Sequence, residues 1–169
     1  MLAAAVRTLL VRELRALRRE LEAYPDDASV WRQPPGLANS AGTLALHVAG
    51  NLQHFVGAVL GDSGYVRDRD AEFARRDVPR AELMAGLDAA IAAVEHTLPS
   101  LSEARLDDPY PVPVAGHLVQ TGEYLCHLAA HLAYHLGQID YHRRSVTGDA
   151  RGVGALAPAE LGTARPQPA

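Results

Sequence analysis

Apolar residues recur along this 169-residue chain at helical spacing, not in alternation. Val6, Leu9, Leu10, Leu14, Leu17 and Leu21 form one stripe, with Arg12, Arg15, Arg19 and Glu22 on other faces, so the pattern predicts a helix from about Ala3 to Ala23. Tyr24-Pro25-Asp26-Asp27 stops it. Pro34-Pro35 stiffens the connection from Trp31 to Gly36, and Ser40 is placed to cap a second helix that runs to about Leu60 and ends at Gly61. A charged crossover follows to Val78, with room for a short helical piece. Asp77 before Pro79 starts a third helix, whose stripe is Leu83, Leu87, Ile91, Val94 and Leu98, and Pro99 ends it. Tyr110-Pro111-Val112-Pro113-Val114 must be extended. A fourth helix spans about Leu118 to Thr147 and stops at Gly148. There are no repeats and no strand alternations. These elements make an all-α four-helix bundle over residues 1–148, followed by a Gly/Ala/Pro-rich tail, 149–169, in which only Leu156 and Leu161 have the bulk to dock.

Composition removes several function classes. All 16 basic residues are arginine, so chemistry that needs a lysine amine, in P-loop hydrolysis, kinases or Schiff bases, is excluded. A net charge of -4 gives no electrostatic footprint for nucleic acid. Cys126 is the single cysteine, which excludes an internal disulfide and multi-cysteine clusters. Arg7 interrupts the N-terminal apolar run before a signal core forms, and no stretch approaches the roughly 18 apolar residues of a membrane span. The expected setting is cytoplasmic, with no membrane partner.

Eight histidines stand out. On the fourth helix, Gln120, Tyr124, His127, His135, Gln138 and His142 all project within roughly 40° of His131. Leu125, Leu128, Leu132, Leu136 and Ile139 lie on one flank of this stripe, and Ala130, Tyr134, Gly137 and Tyr141 on the other. The stripe is therefore expected to point inward. His47, Asn51 and His54 share one face of an otherwise apolar second helix. An unpartnered buried imidazole costs on the order of 1–3 kcal/mol, so something must satisfy these rings. Core histidines bonded to carbonyls, or a polar dimer interface, would do so. A divalent cation held between the two helices would also do so and would leave coordination positions open. A di-iron site is disfavoured, because Glu123 points away from the stripe and no Glu-x-x-His pair faces inward. By the same angles Cys126 is expected to be a small packed thiol, His96 to be solvated, and Trp31 to anchor its connection. His117 precedes the fourth helix in a loop, where it either lines the mouth of the site or has no chemical role.

Two stretches resemble the DinB/YfiT-like superfamily of small four-helix metalloproteins. One is Leu44-Ala45-Leu46-His47-Val48-Ala49-Gly50-Asn51-Leu52; the other is His131-Leu132-Ala133-Tyr134-His135-Leu136-Gly137-Gln138-Ile139. The resemblance spans Leu2 to Gly148 in helix order and loop length. It implies an up-and-down bundle variant, a homodimer, and His47, His131 and His135 as metal ligands; three imidazoles suit zinc, nickel, iron or copper, and the expected divalent metal is zinc or nickel. It also implies a small-molecule substrate and transferase or isomerase chemistry on low-molecular-weight thiols such as bacillithiol or mycothiol. On this reading the chain is a metal-dependent thiol transferase or a hydrolase, with His127, Tyr134 and Gln138 as candidate catalytic or orienting residues. His54 and His127 are extra to the triad, and each fits a partner of its ligands, a general base or a plain core residue. Arg67, Arg69 and Arg75 on the crossover suit an anionic thiol, or else form a solvated face paired with Asp68, Asp70 and Glu72. The contrasting reading is a non-catalytic metal-stabilised or ligand-binding bundle.

Overall fold

The computed structural model describes residues 1–167 and is helical, with no strand among them. Helices α1 (Leu2–Glu22), α2 (Asp27–Trp31), α3 (Ala41–Leu52), α4 (Arg69–Ala74), α5 (Arg80–Thr97) and α6 (Thr121–Thr147) follow in that order. Four of them build the bundle. α1 packs on α5 and α6, and α3 packs on the same two, so α1 and α3 lie diagonally opposite.

Neighbouring residues give the directions. Arg15 meets Glu95 and Arg18 meets Asp88, so α1 and α5 are antiparallel. Ala49 lies beside Gly86 and Gly57 beside Ala93, so α3 and α5 run parallel. Leu2 packs by Gly122 and Tyr24 by Ile139, which makes α1 and α6 parallel. The bundle variant is therefore up-down-down-up. Two parallel consecutive helices require a crossover of nearly their own length, and the charged stretch before Val78 is that crossover. Among the described residues no helix is long and apolar enough to cross a membrane.

The predicted punctuation holds at several ends. Ser40 caps α3 by accepting from the Thr43 N–H, and Gly148 closes α6 at φ 71°, a left-handed conformation that glycine adopts without Cβ strain. Trp31 anchors its connection, donating from Nε1 to Val78 O at 3.0 Å. The short helix in the crossover is α4, capped by Asp68.

Other expectations need correction. The second helix does not run on in α form to Leu60; Gln53–Ala58 is a π-helix, and the Tyr110 hydroxyl donates to Phe55 O at 2.5 Å within it. Asp77 does not cap α5, because Pro79 holds the N-cap position. α2 was not expected; it forms because Asp26 accepts from the Ser29 N–H just after Pro25. α6 starts at Thr121, since Pro109 and Gln120 pair across a narrow turn. The tail docks through its backbone, not its leucines: Arg19 and Arg143 donate to the carbonyls of Val153, Gly154 and Arg151, while Leu156 stays 57% exposed. Residues 168–169 of the predicted tail lie outside the described residues.

Cys126 is exposed, not packed. The cause is a shift of the buried face of α6. Leu125, Leu128, Leu132, Leu136 and Ile139 occupy its centre, so the polar stripe moves to its edge, along the seam with α3. Tyr124 and His142 remain buried there, His131 and His135 are half-buried, and His127 and Gln138 are exposed.

Candidate metal centre

His47 reaches the seam from α3, and His131 and His135 reach it from successive turns of α6. Their nearest ring nitrogens all lie within 4.8 Å of one another. His131 Nε2 is 3.2 Å from His47 Nε2 and 3.0 Å from His135 Nε2. Nitrogens bound at about 2.1 Å to one cation stand about 3.0–3.4 Å apart, so both separations fit.

The outer nitrogens decide where the protons are. His47 Nδ1 is 3.1 Å from Glu72 Oε2, and His135 Nδ1 is 2.7 Å from Gln138 Oε1. Both partners are acceptors, so both Nδ1 atoms carry the hydrogen and both Nε2 atoms present lone pairs to the cluster. Burial, followed by the neighbouring imidazoles, lowers the His131 pKa from 6.5 to about 4, which keeps that ring neutral. A neutral His131 has one N–H and can satisfy only one of the two facing lone pairs. A cation satisfies all three nitrogens, and the donor set therefore fits a divalent metal.

Glu72 is itself held. Arg67 donates to both its oxygens, at 2.7 and 2.8 Å, and also approaches His47 Nδ1 at 3.4 Å. Burial alone would raise the Glu72 pKa, but hydrogen bonds from His47 and Arg67 outweigh it and hold the carboxyl below its ordinary value. Gly50 leaves the space that Glu72 occupies, since a Cβ there would collide with Oε1. Phe73 packs against His47 with ring centroids 4.9 Å apart, and the Arg69 guanidinium lies 5.0 Å from the Phe73 ring.

Of the other candidates, His127 stacks on His131 at 6.1 Å and on Tyr124 at 5.7 Å. Tyr134 is 64% exposed, beside His135 but pointing to solvent. His96 is solvated, as expected. His117 lines a groove of about 270 Å³ with Val114, Val119, Tyr124 and His127. A second groove, of about 390 Å³, lies past the other end of the cluster, between Gln138, Tyr141 and the Pro34–Asn39 loop. His142 is a core histidine, bonded to the Tyr24 hydroxyl and to Arg32 O. Glu72 is the residue that sequence reasoning missed. Its only signal was membership in a run of mixed charges, which reads equally well as a solvated face.

No curated protein and no solved structure matches the chain significantly. The family description that does match, over residues 9–139, is that of the DinB superfamily. Its span takes in all three histidines and most of the bundle, and the chain belongs to the DinB superfamily.

Proposed function

We propose that this protein is a divalent-metal-dependent enzyme, a transferase of low-molecular-weight thiols or a hydrolase, with zinc or nickel held by His47, His131 and His135. The observation that carries the reading is the convergence of three imidazole nitrogens with the outer hydrogens of two already committed to Glu72 and Gln138. Such a metal supplies a Lewis acid that makes thiolate or hydroxide available near neutral pH. Glu72 and Gln138 fix ring orientation and tautomer. The half-exposed rings of His131 and His135 keep one side of the cluster open to a substrate. His127, exposed and stacked on His131, is placed to accept or return a proton. Arg67 serves Glu72 and is not free for an anionic thiol, which leaves Arg69 in that role.

A second reading, a non-catalytic metal-stabilised bundle, draws support from one observation. Both grooves are lined by neighbours of the three histidines and not by the histidines themselves. Elemental analysis of tag-free protein, with turnover assays of small thiols against electrophiles, separates the two. Stoichiometric metal and thiol-dependent turnover, both lost in His131→Ala, support the enzyme. Metal without turnover across the panel favours the stabilised bundle.

A further inference from the structure

Outside its buried stripe, α1 carries Arg7, Arg12, Arg15 and Arg19 along one side, over about 18 Å of helix. The four arginines line a groove of about 430 Å³, closed by Glu95 of α5 and Glu160 of the tail. In a chain of net charge -4 this concentration of positive charge is local. No lining residue belongs to the three-histidine cluster, and α1 lies diagonally opposite α3, so the groove is separate from the candidate metal centre.

Arg12 is the fixed point of the groove. Its side chain is only 10% exposed, and Nε and Nη2 both donate to Glu13 Oε1, at 3.0 and 2.5 Å. Its Nη1 has no partner among the described residues, yet it is not shut off from solvent. Arg7 has no ion pair or hydrogen bond among the described residues and is exposed. Arg15 meets Glu95 at 3.1 Å with both side chains about half exposed, and Arg19 meets Glu160 at 3.6 Å. Exposed pairs of this kind contribute little to stability, so a more highly charged anion can displace both carboxylates.

We infer that this groove binds a phosphorylated small molecule, its phosphate held by Arg7, Arg12 and Arg15. The planar guanidinium matches phosphate oxygens two at a time, and a dianion gains more from several arginines than a single carboxylate does. The volume lies within the range of small-ligand sites and exceeds what one phosphate ion fills, so an organic body accompanies the phosphate. Val11 offers that body an apolar wall. The inference does not depend on the metal.

Calorimetry and melting of the full chain with glycerol phosphate, inorganic phosphate and glycerol, at constant ionic strength, test this. Glycerol phosphate should bind at one site per chain, and at ten times its Kd it should raise the melting temperature by about 3–5 °C. Glycerol should do neither. Chelator-treated protein should bind the ester as well as metal-loaded protein does, which separates the groove from a phosphate on the metal. Arg7→Gln breaks no contact among the described residues and should bind about tenfold more weakly. Glu95→Gln frees Arg15 and should bind severalfold more tightly. Arg105→Gln removes an exposed arginine outside the groove and should change nothing. No saturation by about 10 mM ester overturns the proposal, as does binding that vanishes with the metal. Binding of inorganic phosphate without the ester also overturns it, because the groove then takes the free ion alone. So do equal losses in the Arg7 and Arg105 variants, or a Glu95→Gln protein that binds no tighter.

Discussion

His47 and Glu72 stand 25 residues apart in the chain, yet His47 Nδ1 donates to Glu72 Oε2 at 3.1 Å. With the packing of Phe73 on His47, this contact ties the crossover to the three-histidine cluster. Removing such an outer partner of a ligand histidine typically weakens metal binding 10–100-fold, about 1.4–2.7 kcal/mol. Glu72→Gln should therefore bind zinc 10–100-fold more weakly in a chelator competition. Arg67→Met should weaken it less, because Glu72 keeps its bond to His47.

Gly50 tests the same contact from the other side. An added methyl would collide with Glu72 Oε1 and drive the carboxylate off His47. Gly50→Ala should then lose about tenfold in zinc affinity, although alanine favours helix over glycine. Gly86→Ala is the control, since its Cβ would rest 3.6 Å from Ala49 Cβ, an ordinary contact. Equal affinities in the two variants would mean that Glu72 does not act on the metal.

Arg143 and Glu20 form the most buried ion pair of the bundle, at 1% and 0% exposure, with Nε donating to Oε2 at 2.5 Å. Burial raises the Glu20 pKa, and Arg143 pulls it back. Arg143 also donates to the carbonyls of Asp149 and Arg151, clasping the tail. Arg143→Met strands a buried carboxylate, so urea unfolding should show a loss of about 3–5 kcal/mol, and the tail should become protease-sensitive. Pairing it with Glu20→Leu should recover most of the stability but not the protection of the tail.

The parts of this molecule that follow a local rule were readable from its residues. The leucine stripes, the Ser40 cap and the Gly148 stop each act within a turn or two of themselves, and the His131/His135 pair shares a helix face by spacing alone. What escaped depends on where distant segments land. Glu72 is a ligand partner only because the crossover folds back over Gly50, and the π-helix is stabilised by Tyr110 from beyond α5. The tail is held by arginines whose targets are backbone carbonyls, which no side-chain pattern encodes. The inward stripe of α6 was displaced because four leucines and Ile139 outweigh its histidines for the central position.

His142 sets a pH dependence separate from the metal site. It is 3% exposed, and its Nε2–H donates to Arg32 O at 2.7 Å, so its Nδ1 accepts from the Tyr24 hydroxyl at 2.7 Å. The neutral ring is thus fully satisfied. Protonation would put a hydrogen on Nδ1 against a hydroxyl that already donates there. Burial lowers the pKa below 6.5, although the bond to Arg32 O works in the other direction. The unfolded chain takes up a proton near pH 6.5 and the folded chain does not until lower pH. The unfolded state then binds more protons, and stability falls as pH drops below about 6.5. Chelator-treated protein should show a declining urea midpoint from pH 7 to pH 5. His142→Gln should start lower at pH 7 and decline less steeply. Some slope should survive, because His54, His131 and His135 are lowered in the same direction. Equal slopes in the wild type and the variant would mean that His142 binds its proton equally in the folded and unfolded chains, and would assign the acid sensitivity to His54, His131 and His135.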